Sequence, residues 1–94
     1  MATLFKVRQV NHNCTEATWE EVKPKNGTDF TLEELQEFVG GYIEIITLGG
    51  GKIMVVNEEG WLLNLPPNWA ATTRYGLGSV IAGNALVCND EEVQ

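Results

Sequence analysis

Phe30-Thr31-Leu32-Glu33-Glu34-Leu35-Gln36-Glu37-Phe38-Val39-Gly40-Gly41 marks both ends of a helix. Thr31 can accept a bond at the N-terminus while Glu34, three residues on, returns one, the reciprocal arrangement of a capping box. Phe30 can pack on Leu35 as a hydrophobic staple, and Glu33 and Glu34 suit the positive end of the helix dipole. Gly40 or Gly41 supplies a left-handed exit. Leu32, Leu35, Phe38 and Val39 are expected on one face, so the helix, about 31–39, should cover a sheet through that stripe.

Strands are expected on both sides of this helix. Downstream, Tyr42–Leu48 and Lys52–Asn57 are runs of β-formers joined by Gly49-Gly50-Gly51, a spacing that fits a hairpin at the sheet centre. Asn57-Glu58-Glu59-Gly60 reads as a tight turn with Gly60 at positive φ, returning into a strand over Trp61–Leu65 that stops at Pro66-Pro67. Asn68–Tyr75 can make one or two helical turns, and a last strand, Ser79–Cys88, should bend at Gly83-Asn84. Upstream, residues 3–10 alternate as a first strand and Asn11-His12-Asn13 ends it. Thr18–Val22 gives a second, more exposed arm, closed by Pro24-Lys25-Asn26-Gly27. The sum is an α+β fold: a small antiparallel or mixed sheet of about five strands, one covering helix (about 31–39) and a short helical segment (about 68–75). A single domain is expected over 1–94, with an N-terminal hairpin at 1–28, a core at 30–89 and a polar tail at 90–94.

The 94 residues suffice for one modest core. Thirteen carboxylates against six lysines and arginines give a net charge of −7, which works against attraction to duplex nucleic acid or anionic lipid. No stretch approaches the roughly 18 apolar residues of a membrane span, and the N-terminus lacks a basic segment and apolar run, so the cytoplasm is the expected compartment. Cys14 and Cys88 stand far apart and are read as reduced thiols.

Catalytic and metal chemistry find little support. The lone His12 sits between two asparagines in a polar turn, and one histidine with two isolated cysteines does not make a zinc site. Gly49-Gly50-Gly51-Lys52-Ile53 lacks the Ser or Thr and the following helix of a phosphate loop. Glu58-Glu59 could do acid and base work only if a pocket raised one pKa, and adjacent turn carboxylates seldom share one. No catalytic residue, metal or cofactor is therefore expected. The aromatics lead further: Trp61, Trp69 and Tyr75 fall close to Asn57, Asn64, Asn68 and Arg74, a mixture that can stack on a base or pack a partner. Two tryptophans beside Pro66-Pro67 are more often a satellite core that pins the loop.

Val39-Gly40-Gly41-Tyr42-Ile43-Glu44, Asn57-Glu58-Glu59-Gly60, Leu65-Pro66-x-Asn68 and Ile81-Ala82-Gly83-Asn84-Ala85-Leu86-Val87 together resemble a family of small uncharacterised domain proteins of bacteriophages, plasmids and the bacteria that carry them. The resemblance covers roughly residues 30–89. This chain departs from it at Pro67-Asn68-Trp69, where an aliphatic residue, Asn and a basic residue are usual, and at Ala82-Gly83-Asn84 in place of Val-Gly-Asp. The resemblance implies a non-enzymatic accessory protein of a phage or mobile element. Such a protein would bind or sequester a small ligand, a nucleotide-type immune signal among the candidates, in a pocket completed by homo-oligomerisation, which is expected because a thin sheet with one covering helix leaves its other face short of cover. Trp61 and Trp69 would stack, Asn57, Glu58 and Asn68 would line and orient, and Arg74 would meet a negative group. The alternative is a protein-interaction module that inhibits a host defence or regulatory protein; an enzyme using Glu58 is a third possibility.

Overall fold

The computed structural model describes residues 2–11 and 14–93; the turn expected at His12 lies outside the described residues. Its elements are β1 (Ala2–Asn11), β2 (Cys14–Val22), α1 (Leu32–Val39), β3 (Ile43–Gly49), β4 (Lys52–Asn57), α2 (Trp69–Arg74) and β5 (Ala85–Asn89), followed by a 3-10 turn at Asp90–Glu92. The five strands form one sheet in the order β2-β1-β5-β4-β3, and every pairing is antiparallel, so the α+β expectation holds and the mixed sheet drops out. The C-terminal strand is thus the central one. Two hairpins, β1–β2 and β3–β4, flank it on either side.

Helix α1 starts and stops where its letters place it. Thr31 Oγ1 accepts from the Glu34 backbone 3.2 Å away, Glu34 returns the bond to the Thr31 N–H, and Gly40 leaves at φ 79°. Leu35 and Val39 face inward with Phe30, Leu4, Ile53, Val55, Leu86 and Cys88, and Phe38 meets Phe30 edge-on. Leu32, expected in that stripe, is exposed, and Glu34 is buried instead. The carboxylate explains the exchange. It accepts from the Lys25 N–H at 3.0 Å as well as from Thr31, which draws the buried arc toward Glu34 and Phe38 and leaves Leu32 at its margin.

The opposite face of the sheet is covered as well. Phe5, Met54, Val56, Ala85 and Val87 pack against Ala71 of α2 and Ile81 of the segment leading into β5. That cover revises the argument that a bare second face calls for an oligomer. Trp61–Leu65 is not a strand: Leu63 N–H bonds to Glu59 O, Asn64 N–H to Trp61 O and Leu65 N–H to Gly60 O, so the segment coils into successive turns. Both neighbours of β4, the strand this apolar run leaves, are already in place, so it has no position beside β4 to return to. Gly60 is not at positive φ either. It is glycine because a Cβ there would stand 2.6 Å from the Ala82 carbonyl oxygen. The last strand begins only at Ala85, after Gly83 at φ 91°. The polar C-terminus is fastened on the α1 side of the sheet, where Phe30 N–H donates to Glu92 O at 2.5 Å and Val93 bridges to Phe30.

Candidate functional site

On the face that α2 covers, one row of side chains crosses all five strands. Trp19 lies opposite Phe5, Phe5 opposite Ala85, Ala85 opposite Val56 and Val56 opposite Glu44. Alanine at the centre of the row leaves room for α2, whose Ala71 is fully buried there. The two ends of the row, Trp19 and Glu44, stay exposed, and each opens into a groove.

The first groove, about 460 Å³, lies between β3, β4, the turns that follow β4 and residues 79–82. Glu44, Glu58 and Glu59 contribute to its lining, and among the described residues no lysine or arginine does. None of these three carboxylates has an ion-pair partner among the described residues, whereas at the other sheet edge Glu16 is held by Arg8 at 2.6 Å and Glu20 lies 3.7 Å from Lys6. Beside the groove the turns push Trp61, Leu62 and Leu63 into solvent, at 60%, 76% and 52% exposure. The second groove, about 400 Å³, has Phe5, Trp19 and Tyr75 on its walls with Thr3, Glu21 and Arg74. Phe5 and Tyr75 meet edge to face, 5.9 Å between centroids.

The residues expected to form one site are divided among several places. Asn57, Glu58 and Trp61 line the first groove and Arg74 the second. Asn57 itself is buried, its amide donating to Val39 O at 3.0 Å and its oxygen accepting from Glu59 N–H at 2.7 Å, so it ties the end of α1 to the turn after β4. Asn68 has no exposed surface at all: its amide reaches Phe5 O and Gly83 O, and its oxygen caps α2 through Ala71 N–H. Trp69 points into solvent and lines neither groove. Glu44, Trp19 and Glu21 join the grooves without having stood out in the sequence. For Trp19 and Glu44 the signal is the cross-strand row, which exists only once the strand order is known, and Glu21 enters through its pairing with Thr3.

Among the described residues no group of three or more His, Cys, Asp or Glu side chains converges to hold a metal ion. Cys14 and Cys88 are both free, the first exposed and the second buried. Likewise, no helix among them is long and apolar enough to cross a membrane.

The fold and the grooves define a small antiparallel α+β domain with two open, chemically different concavities on one sheet face. A family model described as "Domain of unknown function (DUF3846)" matches residues 9–94, and the chain belongs to that family. The match takes in most of the N-terminal hairpin and the C-terminal turn, beyond the 30–89 stretch that carries the resemblance. No curated protein and no solved structure matches the chain.

Proposed function

We propose that this chain is a non-enzymatic interaction module that docks on a basic surface of another protein through the Trp61–Leu63 turns and the carboxylate-lined groove beside them. The observation that carries this reading is the exposure of three consecutive large apolar side chains at the rim of a groove with unpaired negative charge. An apolar run of this kind in water marks contact surfaces, and tryptophan is enriched among the residues that dominate binding. The three carboxylates select a cationic partner and speed its approach. The resemblance to domain proteins of phages and plasmids supports a host defence or regulatory protein as that partner. The test is co-purification from bacterial cells, with and without phage challenge, using the wild type, a Trp61→Ser/Leu62→Ser variant and a Glu58→Gln/Glu59→Gln variant. Docking requires that one identified basic protein be retained by the wild type and by Trp69→Ser but lost from both groove variants; retention by all four would refute it.

A second reading has its own observation. The aromatic walls and Arg74 of the second groove suit a small planar anion, and about 400 Å³ is within the roughly 300–1,000 Å³ of ligand sites. Sequestration of such a ligand predicts a discrete added mass in native mass spectrometry that disappears with Arg74→Ala. A bare protein before and after phage challenge removes this reading and leaves the first.

A further inference from the structure

The free edge of β3 borders the first groove. Glu58 N–H donates to Tyr42 O at 2.9 Å, which makes Tyr42 and Glu58 a hydrogen-bonded pair. Antiparallel alternation then turns Glu44 and Ile46 toward β4 and directs the backbone N–H and C=O of Ile43, Ile45 and Thr47 away from the sheet. Two cross-strand rows end at this edge. The row on the α1 side runs Glu20, Leu4, Leu86, Val55 and ends in Ile45, an isoleucine left 48% exposed. The row on the groove side ends in Glu44.

We infer that β3 is a docking edge for an extended, basic segment of the partner protein, which adds to the sheet as a sixth, antiparallel strand. The inference rests on the proposed docking function and specifies how the partner is held. A strand laid there continues both rows. Its residue opposite Ile45 exchanges two backbone hydrogen bonds with Ile45 and covers that side chain, so it is apolar. Its neighbours fall on the groove side beside Glu44, within the field of Glu58 and Glu59, so they are lysine or arginine. The recognised pattern alternates apolar and basic residues, with main-chain bonds for affinity and side chains for choice. The β2 edge is the weaker candidate, because Glu16 and Glu20 there already have cationic partners. A second copy of this chain is disfavoured, since pairing through β3 would set two grooves of like charge side by side.

The probe is a short blocked peptide alternating valine with lysine, titrated into the full chain and read by tryptophan fluorescence and calorimetry. Methylation of the valine amides, which face β3, should weaken binding by about tenfold or more, the loss of one or two hydrogen bonds. Methylation of the lysine amides, which face water, should not. Ile45→Pro, which removes an outward N–H and no ladder bond, should match the valine-methylated peptide, its fold checked by melting. Equal binding of both methylated peptides overturns the inference, and the docking reading survives that result if the Glu58→Gln/Glu59→Gln variant still weakens the peptide. Equal binding of a valine–glutamate peptide removes the charge basis of both. A wild-type dimer in sedimentation that Ile45→Pro dissolves assigns the edge to a second copy and also overturns it.

Discussion

The Asn68 side-chain amide donates to the carbonyl of Phe5, 3.1 Å away across 63 positions of sequence, and to that of Gly83 at 2.9 Å. One buried side chain thereby joins β1, the bend before β5 and, through Ala71 N–H, the start of α2. Asn68→Ala leaves two carbonyls and one N–H without that partner in the interior. Each costs about 1–3 kcal/mol when unsatisfied, so a net loss of roughly 2–4 kcal/mol is expected. In a domain of this size that lowers the melting temperature by roughly 10 °C or more, measurable by circular dichroism. Because α2 separates the two grooves, both binding tests should also fail in this variant.

Gly60 sits so close to Ala82 that an added Cβ would lie 2.6 Å from its carbonyl oxygen and 3.1 Å from its Cβ. Backbone must then move, and Gly60→Ala is expected to cost about 1–3 kcal/mol. Gly78 has ordinary φ and open space around its missing Cβ. Gly78→Ala should be neutral or stabilising by up to about 1 kcal/mol through the unfolded chain. Urea midpoints for the pair check the contrast; equal midpoints would show that the approach to Ala82 relaxes without cost.

These two positions also show where sequence ceases to inform. The cap of α1 is legible because Thr31 and Glu34 lie within one helical turn, and the hairpins are legible because their turns are local. Gly60 looks like a turn glycine with positive φ, yet its reason is Ala82, brought close only by the packed fold. Trp61–Leu65 has the composition of a strand, yet it coils into turns after a β4 whose two neighbours are already taken, a fact that only the strand order shows. At the candidate site, Glu58 and Trp61 are visible as a polar turn and an aromatic, whereas Glu44 and Trp19 matter as ends of a five-residue row whose members come from five strands. Asn68 illustrates the reverse case: an amide beside a tryptophan suggests a ligand, and its hydrogen bonds are spent on the protein's own backbone.

Glu34 accepts from the backbone of Lys25 and of Thr31, and those bonds hold its carboxyl below the ordinary 4.5. The folded form therefore prefers the ionised state more than the unfolded chain does. The resulting stability is present above the unfolded pKa and is lost as pH falls through the folded one. Glu34→Gln should flatten stability against pH below about 4.5, while lowering stability at neutral pH by loosening the 25–31 loop from α1. Denaturant titrations of both proteins between acid and neutral pH measure this; parallel curves for the two would remove Glu34 as the acid-sensitive group.

Cys88 lies fully inside the core beneath α1, and burial, aided by the nearby Glu92 and Asp90 carboxylates, pushes its thiol up from 9.0 to about 11. Cys14 is exposed on β2. Thiol reagents need the thiolate and access, so at pH 8 Cys14 should react with a maleimide or disulfide reagent in the native protein while Cys88 reacts only on unfolding. The same shift sets an alkaline limit. Between about pH 9 and pH 11 the unfolded chain has lost the Cys88 proton and the folded chain retains it, so the unfolded state binds fewer protons and stability falls as pH rises. The loss is on the order of 1–2 kcal/mol across that window. Cys88→Ala removes the slope at the cost of a small cavity, and Cys14→Ser leaves it intact. Should the wild type and Cys88→Ala lose stability in parallel above pH 9, the alkaline limit would belong to other groups, and labelling stoichiometry at pH 8 would remain the independent test of burial.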